Sequence, residues 1–378
     1  MGLCGSKVKG APARLLLLGA SGVGKSTLFK QIKMLHARGF SSEELADGAA
    51  CIRRMMLDTL RVLLRNTSVQ DAMGDAGIDA CDRAMGDMAF IDESEEERAQ
   101  LLALIRAHWR TTAVAAALEA LRRGSDHGGW LRSNEWLQWW IEEADRVLAP
   151  AYEATPEDML KLRRSTSGAV ELPFAVNVDG KDCEFVLVDM GGQVHEMKHW
   201  ADELAQPNVG GVIFLASLAD FDRSPQKNSW ASSWSIMHSD SKSLKLASGK
   251  RQKPSLLFNE LKLLNDLLRG NPFLQRIPLV VMLNKSDLFD QRVAAGAKFY
   301  RHFVDCPKKV ARKPHEARRW LARQIETTEN FIKAPHAQMA CFTSCATDMN
   351  NAKRMVEEVL NAVTAENVQN FFANEIGE

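Results

Sequence analysis

The residues with the clearest chemical potential form a glycine-rich loop near the start of the chain. The loop follows an apolar run at residues 14–18 and precedes a helical pattern at residues 27–36. In this context the N–H groups of the loop can surround a phosphate chain, Lys25 can neutralise it, and the Ser26 hydroxyl can bind magnesium. The G-x-x-x-x-G-K-S pattern therefore predicts a nucleotide-phosphate site, formed by Gly19, Ala20, Ser21, Gly22, Val23, Gly24, Lys25 and Ser26.

A second candidate is the carboxylate that ends a later apolar run. Residues 185–188 lead into Asp189-Met190-Gly191-Gly192. An Asp-x-x-Gly sequence alone is as often a turn as a site, but here it accompanies the phosphate loop. We interpret Asp189 as a ligand of the ion on Ser26, and the Gly192 N–H as a donor to the terminal phosphate, which together form a γ-phosphate sensor.

The identity of the base is indicated by a polar segment that follows the apolar run at residues 277–283. Asn284, Lys285 and Asp287 begin it, and the carboxylate of Asp287 can accept from both N1–H and the 2-amino group of guanine. Adenine would leave that carboxylate unpaired, which disfavours an ATP-using enzyme. A structural turn would use the same residue types. The predicted contacts to the base carbonyl follow a last strand at residues 339–342: Cys345, Ala346 and Thr347.

The order of elements predicts one α/β domain with an all-helical domain inserted into it. Residues 14–42 and 157–378 would form a P-loop nucleotide-binding domain with a mostly parallel sheet, and residues 43–156 the helical domain. In the sheet, Asp-Gly at 179–180 predicts a two-residue hairpin turn. The segment 224–254 has six basic residues against one acid and predicts a surface insertion. In the helical domain, the expected core includes Trp136, Trp139 and Trp140.

Composition excludes several classes of protein. The 378 residues include 48 Lys and Arg and 48 Asp and Glu, so the net charge is zero and nothing favours nucleic acid as a partner. Seven scattered cysteines without a C-x-x-C pair indicate neither a disulfide framework nor a zinc site. No apolar run reaches the length of a membrane span. We expect a globular protein of a reducing compartment.

Taken together, these residues resemble those of a heterotrimeric G-protein α subunit over nearly the whole chain. Residues 158–168 are similar to the family's first switch, which implies that Arg163 stabilises the transition state and Thr166 binds Mg²⁺. Asp189 to Gln193, with Trp200 downstream, resembles the second switch, in which Gln193 orients the attacking water. Slow hydrolysis of GTP to GDP is the implied reaction, which makes the α/β domain a P-loop GTPase domain. The resemblance adds two further nucleotide contacts, Thr27 and Leu160.

Three departures from the family bear on the rate of hydrolysis. Ser21 stands where the family has glycine, and Gly22 where it usually has glutamate. A side chain at position 21 would crowd the γ-phosphate and Gln193, so we expect slower hydrolysis than is usual for the family. Val194 and His199 alter the second switch. The alternative function is a nucleotide-locked scaffold with little turnover or βγ binding.

The N-terminus predicts a lipid anchor. Gly2 and the serine at position 6 fit the myristoylation pattern, and Cys4 is a candidate for palmitoylation. A single acyl chain binds a membrane only marginally, so a second chain, or help from Lys7, Lys9 and Arg14, would be needed. This predicts a peripheral protein on the cytoplasmic face of the plasma membrane.

The resemblance also implies partners: guanine nucleotide, a receptor or other exchange factor, an effector and the G-protein βγ dimer. Binding of βγ is in question, because the 13 residues before Arg14 are too few for the long N-terminal helix with which the family binds it. The final residues, 371–378, do not resemble the family's receptor-contacting tail.

Overall fold

The structure is a computed structural model, and it divides the chain into two compact units. The first contains residues Met1–Arg38 and Ser165–Glu378, and the second contains Gly39–Arg164. The divisions fall after Arg38 and Arg164, whereas the sequence analysis places them after residues 42 and 156. The described residues are 12–64, 95–108, 136–164, 166, 168–178, 181–206, 208–224, 255–275, 277–327 and 339–345.

Strands and helices alternate at both ends of the chain, and only helices are described between them. The first unit begins with β1 (Ala13–Leu18) and α1 (Lys25–His36). The second unit contains α2 (Ser42–Leu64), α3 (Glu95–His108), α4 (Leu137–Glu142), α5 (Ala144–Val147) and α6 (Pro156–Lys161). The first unit resumes with β2 (Ala169–Val178), β3 (Lys181–Met190), α7 (Val194–Met197), α8 (Trp200–Leu204), β4 (Val209–Ser217), α9 (Leu256–Gly270), β5 (Leu279–Asn284), α10 (Ser286–Ala294), α11 (Lys308–Ala311), α12 (Pro314–Thr327) and β6 (Met339–Thr343).

The six strands of the described residues form one sheet in the order β2-β3-β1-β4-β5-β6. Among these strands only the pairing of β2 with β3 is antiparallel, and Val178 lies opposite Lys181, as a two-residue connection requires. The remaining pairs are parallel. The predicted α/β class with a mostly parallel sheet is confirmed. The residues 179–180 of the predicted turn, and 225–254 of the predicted insertion, lie outside the described part of the chain.

The burial of each strand follows from its place in the sheet. In β1, β4 and β5, which have neighbours on both sides, nearly every side chain is buried, as expected of parallel strands covered on both faces. The edge strand β2 instead alternates, with Leu172 and Phe174 buried and Glu171 and Pro173 exposed. Among the described helices, none combines the length and the hydropathy that crossing a bilayer requires.

The second unit has its own hydrophobic core, and the three tryptophans contribute to it unequally. Trp140 is completely buried, as expected. Trp136 and Trp139 are partly buried and pack against this core, so the prediction that all three tryptophans contribute to it is confirmed. Their rings cover the ammonium group of Lys161, whose Nζ lies 5.4 Å and 4.1 Å from the two ring centroids. They therefore bind a buried cation through their π faces.

A buried carboxylate, Asp158, links α5 to the start of α6. Its side chain is 1% exposed and accepts two hydrogen bonds from the Arg146 guanidinium, at 2.8 and 2.9 Å. The Tyr152 hydroxyl (3.0 Å) and the N–H of Thr155 (2.9 Å) also donate to it. Burial alone would raise the pKa of Asp158, but these hydrogen bonds and the charge of Arg146 lower it below its ordinary value of 3.8.

We expect Asp158→Asn to destabilise the second unit by about 2 kcal/mol at neutral pH, because it weakens a buried charge-assisted network. Since the folded-state pKa of Asp158 is lowered, its stabilisation is present above the ordinary pKa and is lost as pH falls through the folded-state value. The difference between variant and wild type should therefore shrink below about pH 4. Urea unfolding followed by tryptophan fluorescence at several pH values measures it.

The matched control is Glu143→Gln. Glu143 accepts from the same guanidinium at 2.8 Å, but its side chain is 36% exposed. Solvent screens such a pair, so the control should cost less than about 1 kcal/mol. Equal losses for the two variants, or a loss for Asp158→Asn that does not vary with pH, would contradict this account of the network.

Candidate functional site

The glycine-rich loop passes so close to two strands that side chains could not replace its glycines. Gly19 (φ 141°) and Gly24 (φ 111°) both have left-handed backbone conformations. A Cβ at Gly19 would collide with the carbonyl oxygen of Leu215 in β4, and one at Gly24 with the side-chain amide of Asn284. The loop therefore needs glycine for backbone conformation and for close approach. Helix α1 begins directly after it, so a helix N-terminus adjoins the loop.

Lys25 and Gly192 meet at this loop. The Lys25 side chain is buried, and its Nζ donates to the carbonyl oxygens of Gly19 (2.8 Å) and Ala20 (3.0 Å). A Cβ at Gly192 would collide with Lys25 Nζ and come within 2.7 Å of the Gly19 oxygen. The structure thus brings the predicted sensor glycine against the predicted phosphate loop, beside a buried cation.

Three oxygen-bearing side chains converge beside the loop. Asp189 Oδ2 accepts from the hydroxyls of Ser26 (2.8 Å) and Thr166 (3.1 Å), and the two hydroxyl oxygens are 2.8 Å apart. Asp189 is 2% exposed, and its Oδ1 has no hydrogen-bond partner among the described residues. Burial raises the pKa of Asp189, while the charge of Lys25 and the two hydroxyl bonds oppose that rise.

This donor set fits Mg²⁺. Within the described chain no cluster of three or more His, Cys, Asp or Glu could hold a metal ion, and here one carboxylate is joined by two hydroxyls. Mg²⁺ commonly takes one or two carboxylates and completes its octahedron with water and substrate phosphates. A buried carboxylate with one unpartnered oxygen also requires a compensating positive charge.

The two predicted switch segments are hydrogen-bonded to each other within the first unit. The N–H of Gly191 donates to the carbonyl oxygen of Gly168 (3.1 Å), and the N–H of Gly168 donates to Glu196 Oε2 (2.9 Å). Trp200, completely buried, donates from its ring N–H to the Gly191 oxygen at 2.9 Å. Glu196 could not be identified from the sequence, since an acid in a short helical run carries no signal of such a contact.

The base-recognition segment is held by buried side chains. Asn284, at the end of β5, donates to the Val23 carbonyl (2.8 Å) and accepts from the hydroxyl of Ser344 (3.3 Å). It thereby joins the phosphate loop to the segment after β6. Lys285 has a left-handed conformation (φ 62°) that turns the chain into α10, where Asp287 is exposed in the first turn.

The remaining predicted site residues belong to both compact units. Leu160 and Arg163 belong to the second unit, where Arg163 is partly buried two residues beyond the end of α6. Ser21 and Gln193 lie in the first unit with exposed side chains, whereas Gly22, Thr27 and Cys345 are partly buried there. Four predicted residues lie outside the described part of the chain: Gly2, Cys4, Ala346 and Thr347.

Comparison with known proteins identifies relatives along almost the entire chain. The guanine nucleotide-binding protein G(o) subunit alpha of Locusta migratoria is 25% identical over 365 residues, covering 94% of this chain and 89% of the relative. The protein of the same name from Caenorhabditis elegans is 25% identical over 360 residues, with the same coverage. Guanine nucleotide-binding protein alpha-9 subunit of Dictyostelium discoideum is 27% identical over 281 residues, covering 74% of this chain and 70% of the relative.

The family itself is shown by a match to its sequence profile. The profile described as G-protein alpha subunit matches residues 5–363. This extent includes both compact units, and it confirms the resemblance inferred from the loop, the switches and the base-recognition segment. The chain therefore belongs to the G-protein α subunit family, and it is a guanine-nucleotide-binding signalling switch that hydrolyses GTP.

Proposed function

We propose that this chain binds GTP with Mg²⁺ and hydrolyses it slowly, coupling a receptor or other exchange factor to an effector. The observation that carries the proposal is the buried Asp189 carboxylate, which the Ser26 and Thr166 hydroxyls face. Lys25 and Gly192 stand beside it at the loop. An acyl chain on Gly2, with a second on Cys4, would keep the protein on the cytoplasmic face of the plasma membrane.

Each residue of the proposed site has a distinct task. The loop N–H groups and Lys25 offset the negative charge of the phosphates, and Asp287 accepts from the guanine base. When bound by Ser26, Thr166 and Asp189, Mg²⁺ supplies further charge neutralisation at the phosphates. By the family resemblance, Arg163 stabilises the charge of the transition state and Gln193 orients the attacking water.

The hydrogen bonds between the switches explain how loss of the γ-phosphate would be transmitted. The Gly192 N–H is the proposed donor to that phosphate, and its neighbour Gly191 bonds to Gly168. Glu196 completes the connection by accepting from the Gly168 N–H. Release of Gly192 after hydrolysis would therefore loosen both switches together, and partners that recognise the ordered state would dissociate.

Guanine recognition is tested with the Asp287→Asn variant, which should change the preferred base from guanine to xanthine. Xanthine carries an oxygen where guanine carries the 2-amino group, so an amide can donate to it while a carboxylate cannot. We expect the variant to lose GTP affinity by at least about 1000-fold and to prefer XTP, whereas the wild type rejects both XTP and ATP. Calorimetric titration of the purified protein with each nucleotide measures this. Binding of ATP as tight as that of GTP to the wild type would refute guanine recognition.

The proposed role of Asp189 as a Mg²⁺ ligand predicts that the Asp189→Asn variant loses Mg²⁺-dependent affinity for GTP. The Mg²⁺-dependent part of GTP affinity should fall about 100-fold, because the only carboxylate of the proposed donor set is removed. Titration of a fluorescent GTP analogue with and without Mg²⁺ separates this part from the rest. Asp202→Asn, at an exposed position of α8, is the control and should keep the full Mg²⁺ response. An unaltered Mg²⁺ response in Asp189→Asn would exclude the assignment.

We expect the Ser21→Gly variant to hydrolyse GTP about 10-fold faster than the wild type in a single turnover. This increase corresponds to an activation free energy that is lower by roughly 1.4 kcal/mol. The reason is steric, so Ser21→Ala is the matched control. It keeps the Cβ and should stay within about 2-fold of the wild type. If Ser21→Gly shows no acceleration, crowding at this position is not what limits the rate.

The same assay decides the alternative of a nucleotide-locked scaffold. Ser21 and the altered second-switch residues Val194 and His199 favour that alternative, whereas retention of Arg163 and Gln193 favours turnover. A scaffold would retain GTP without releasing phosphate over many hours.

A further inference from the structure

One segment of the chain is strongly basic, although the net charge of the whole chain is zero. Residues 298–323 contain nine lysines and arginines and only two acids, Asp305 and Glu316. The segment includes the 3₁₀ turn Phe299–Arg301, α11 and most of α12. These elements pack together, since Lys308 Nζ lies 5.5 Å from the Tyr300 ring centroid and the Phe299 and Trp320 rings are 6.3 Å apart. The positive charges are therefore concentrated in one region of the first unit.

Most of these charges are not neutralised by neighbouring acids. Lys313 pairs with Glu316 at 2.7 Å, and Arg318 pairs with Asp290 at 2.8 Å. Six other side chains are exposed, and among the residues that the structure describes no carboxylate oxygen lies within ion-pair distance of them. We call these six the basic lobe: Lys298, Arg301, Lys308, Lys309, Arg312 and Arg319.

We propose that the basic lobe is a docking surface for anionic lipid headgroups. A lysine or arginine near a membrane that contains anionic lipids increases partitioning about five-fold, and the increments accumulate over neighbouring residues. Because the six side chains have no acidic partners among the described residues, docking breaks no ion pair there. The proposed partner is thus a membrane surface that carries many negatively charged headgroups.

The family's membrane association favours a lipid surface over nucleic acid. G-protein α subunits are peripheral membrane-associated proteins, and the proposal rests on that part of the proposed function. Binding of single-stranded nucleic acid would in addition use exposed aromatic rings for base stacking. The rings in this segment are instead fully buried in the hydrophobic core, as Phe299 and Phe303 are, or partly buried against it, as Tyr300 and Trp320 are.

The structure also argues against Arg14 as a residue whose positive charge strengthens membrane binding. Arg14 was expected to assist a lipidated N-terminus, but its guanidinium pairs with Glu171 at 2.7 Å and Glu203 at 2.9 Å. Its side chain is only 14% exposed. Since one acyl chain holds a protein at a membrane only marginally, a second signal is needed, and the basic lobe supplies one.

The test measures vesicle binding of the full chain prepared without acylation and loaded with GDP. Vesicles of phosphatidylcholine alone are compared with vesicles containing about 30% phosphatidylserine, at about 0.1 M salt. We expect binding only to the anionic vesicles. The triple variant Lys308→Glu/Lys309→Glu/Arg312→Glu should lose at least about 50-fold in partitioning. The double variant Lys298→Gln/Arg301→Gln, which neutralises without reversing charge, should lose about 10-fold or more.

A matched control changes the net charge equally at exposed arginines outside the lobe, with Arg38→Glu/Arg54→Glu/Arg269→Glu. This control should lose less than about 3-fold. Equal losses in control and lobe variants, or no preference of the wild type for anionic vesicles, would overturn the proposal. So would tighter binding of a short duplex DNA than of the vesicles at the same salt concentration. Bound GDP is quantified in every variant, so failure of lipid docking is distinguished from failure of the nucleotide site.

Discussion

The burial of one carboxylate constrains the whole nucleotide site. Asp189 is 2% exposed, and hydroxyl groups satisfy one of its oxygens while the other has no hydrogen-bond partner in the described chain. An ionised carboxylate in such surroundings is costly unless a positive charge accompanies it. Lys25 is near enough to oppose the rise in the pKa of Asp189, but it does not bond to the unpartnered oxygen. A divalent cation bound at this point would offset that cost. The bound ion would therefore stabilise the folded conformation of the site.

The sheet is what brings the separated parts of the site together. Leu17 in β1 lies opposite Asp189 in β3, and because the two strands are parallel, both end at the same edge. The phosphate loop follows β1 there and the second switch follows β3, so Gly19 and Gly192 come into contact. Close approach of two backbones at this point admits no Cβ, so packing by itself requires glycine here.

The sequence predicted the strands well because they are local signals. Continuous apolar runs bounded by glycine or polar residues identify buried parallel strands, whereas the spacing of the loop and Asp189 supports a prediction about their chemistry. Side-chain pairings between distant segments were missed. Neither the Glu196 contact with Gly168 nor the two ion pairs of Arg14 follows from any spacing in a single sequence. The cation–π contacts of Trp136 and Trp139 were missed because their partner, Lys161, lies more than 20 residues away.

The distribution of charge shows most clearly why the composition of a chain does not predict the charge of a particular surface. Equal numbers of acidic and basic residues gave no reason to expect nucleic acid as a partner, but a partner responds only to charges nearby. At physiological ionic strength the Debye length is about 8 Å, much smaller than a folded domain, so distant acids cannot neutralise a local cluster of lysines and arginines. Folding places Arg14 between two glutamates, where its charge is neutralised, and leaves the basic lobe exposed without acidic partners in the described chain. Which charges a membrane could respond to is therefore decided by tertiary structure, and the total charge of the chain does not determine it.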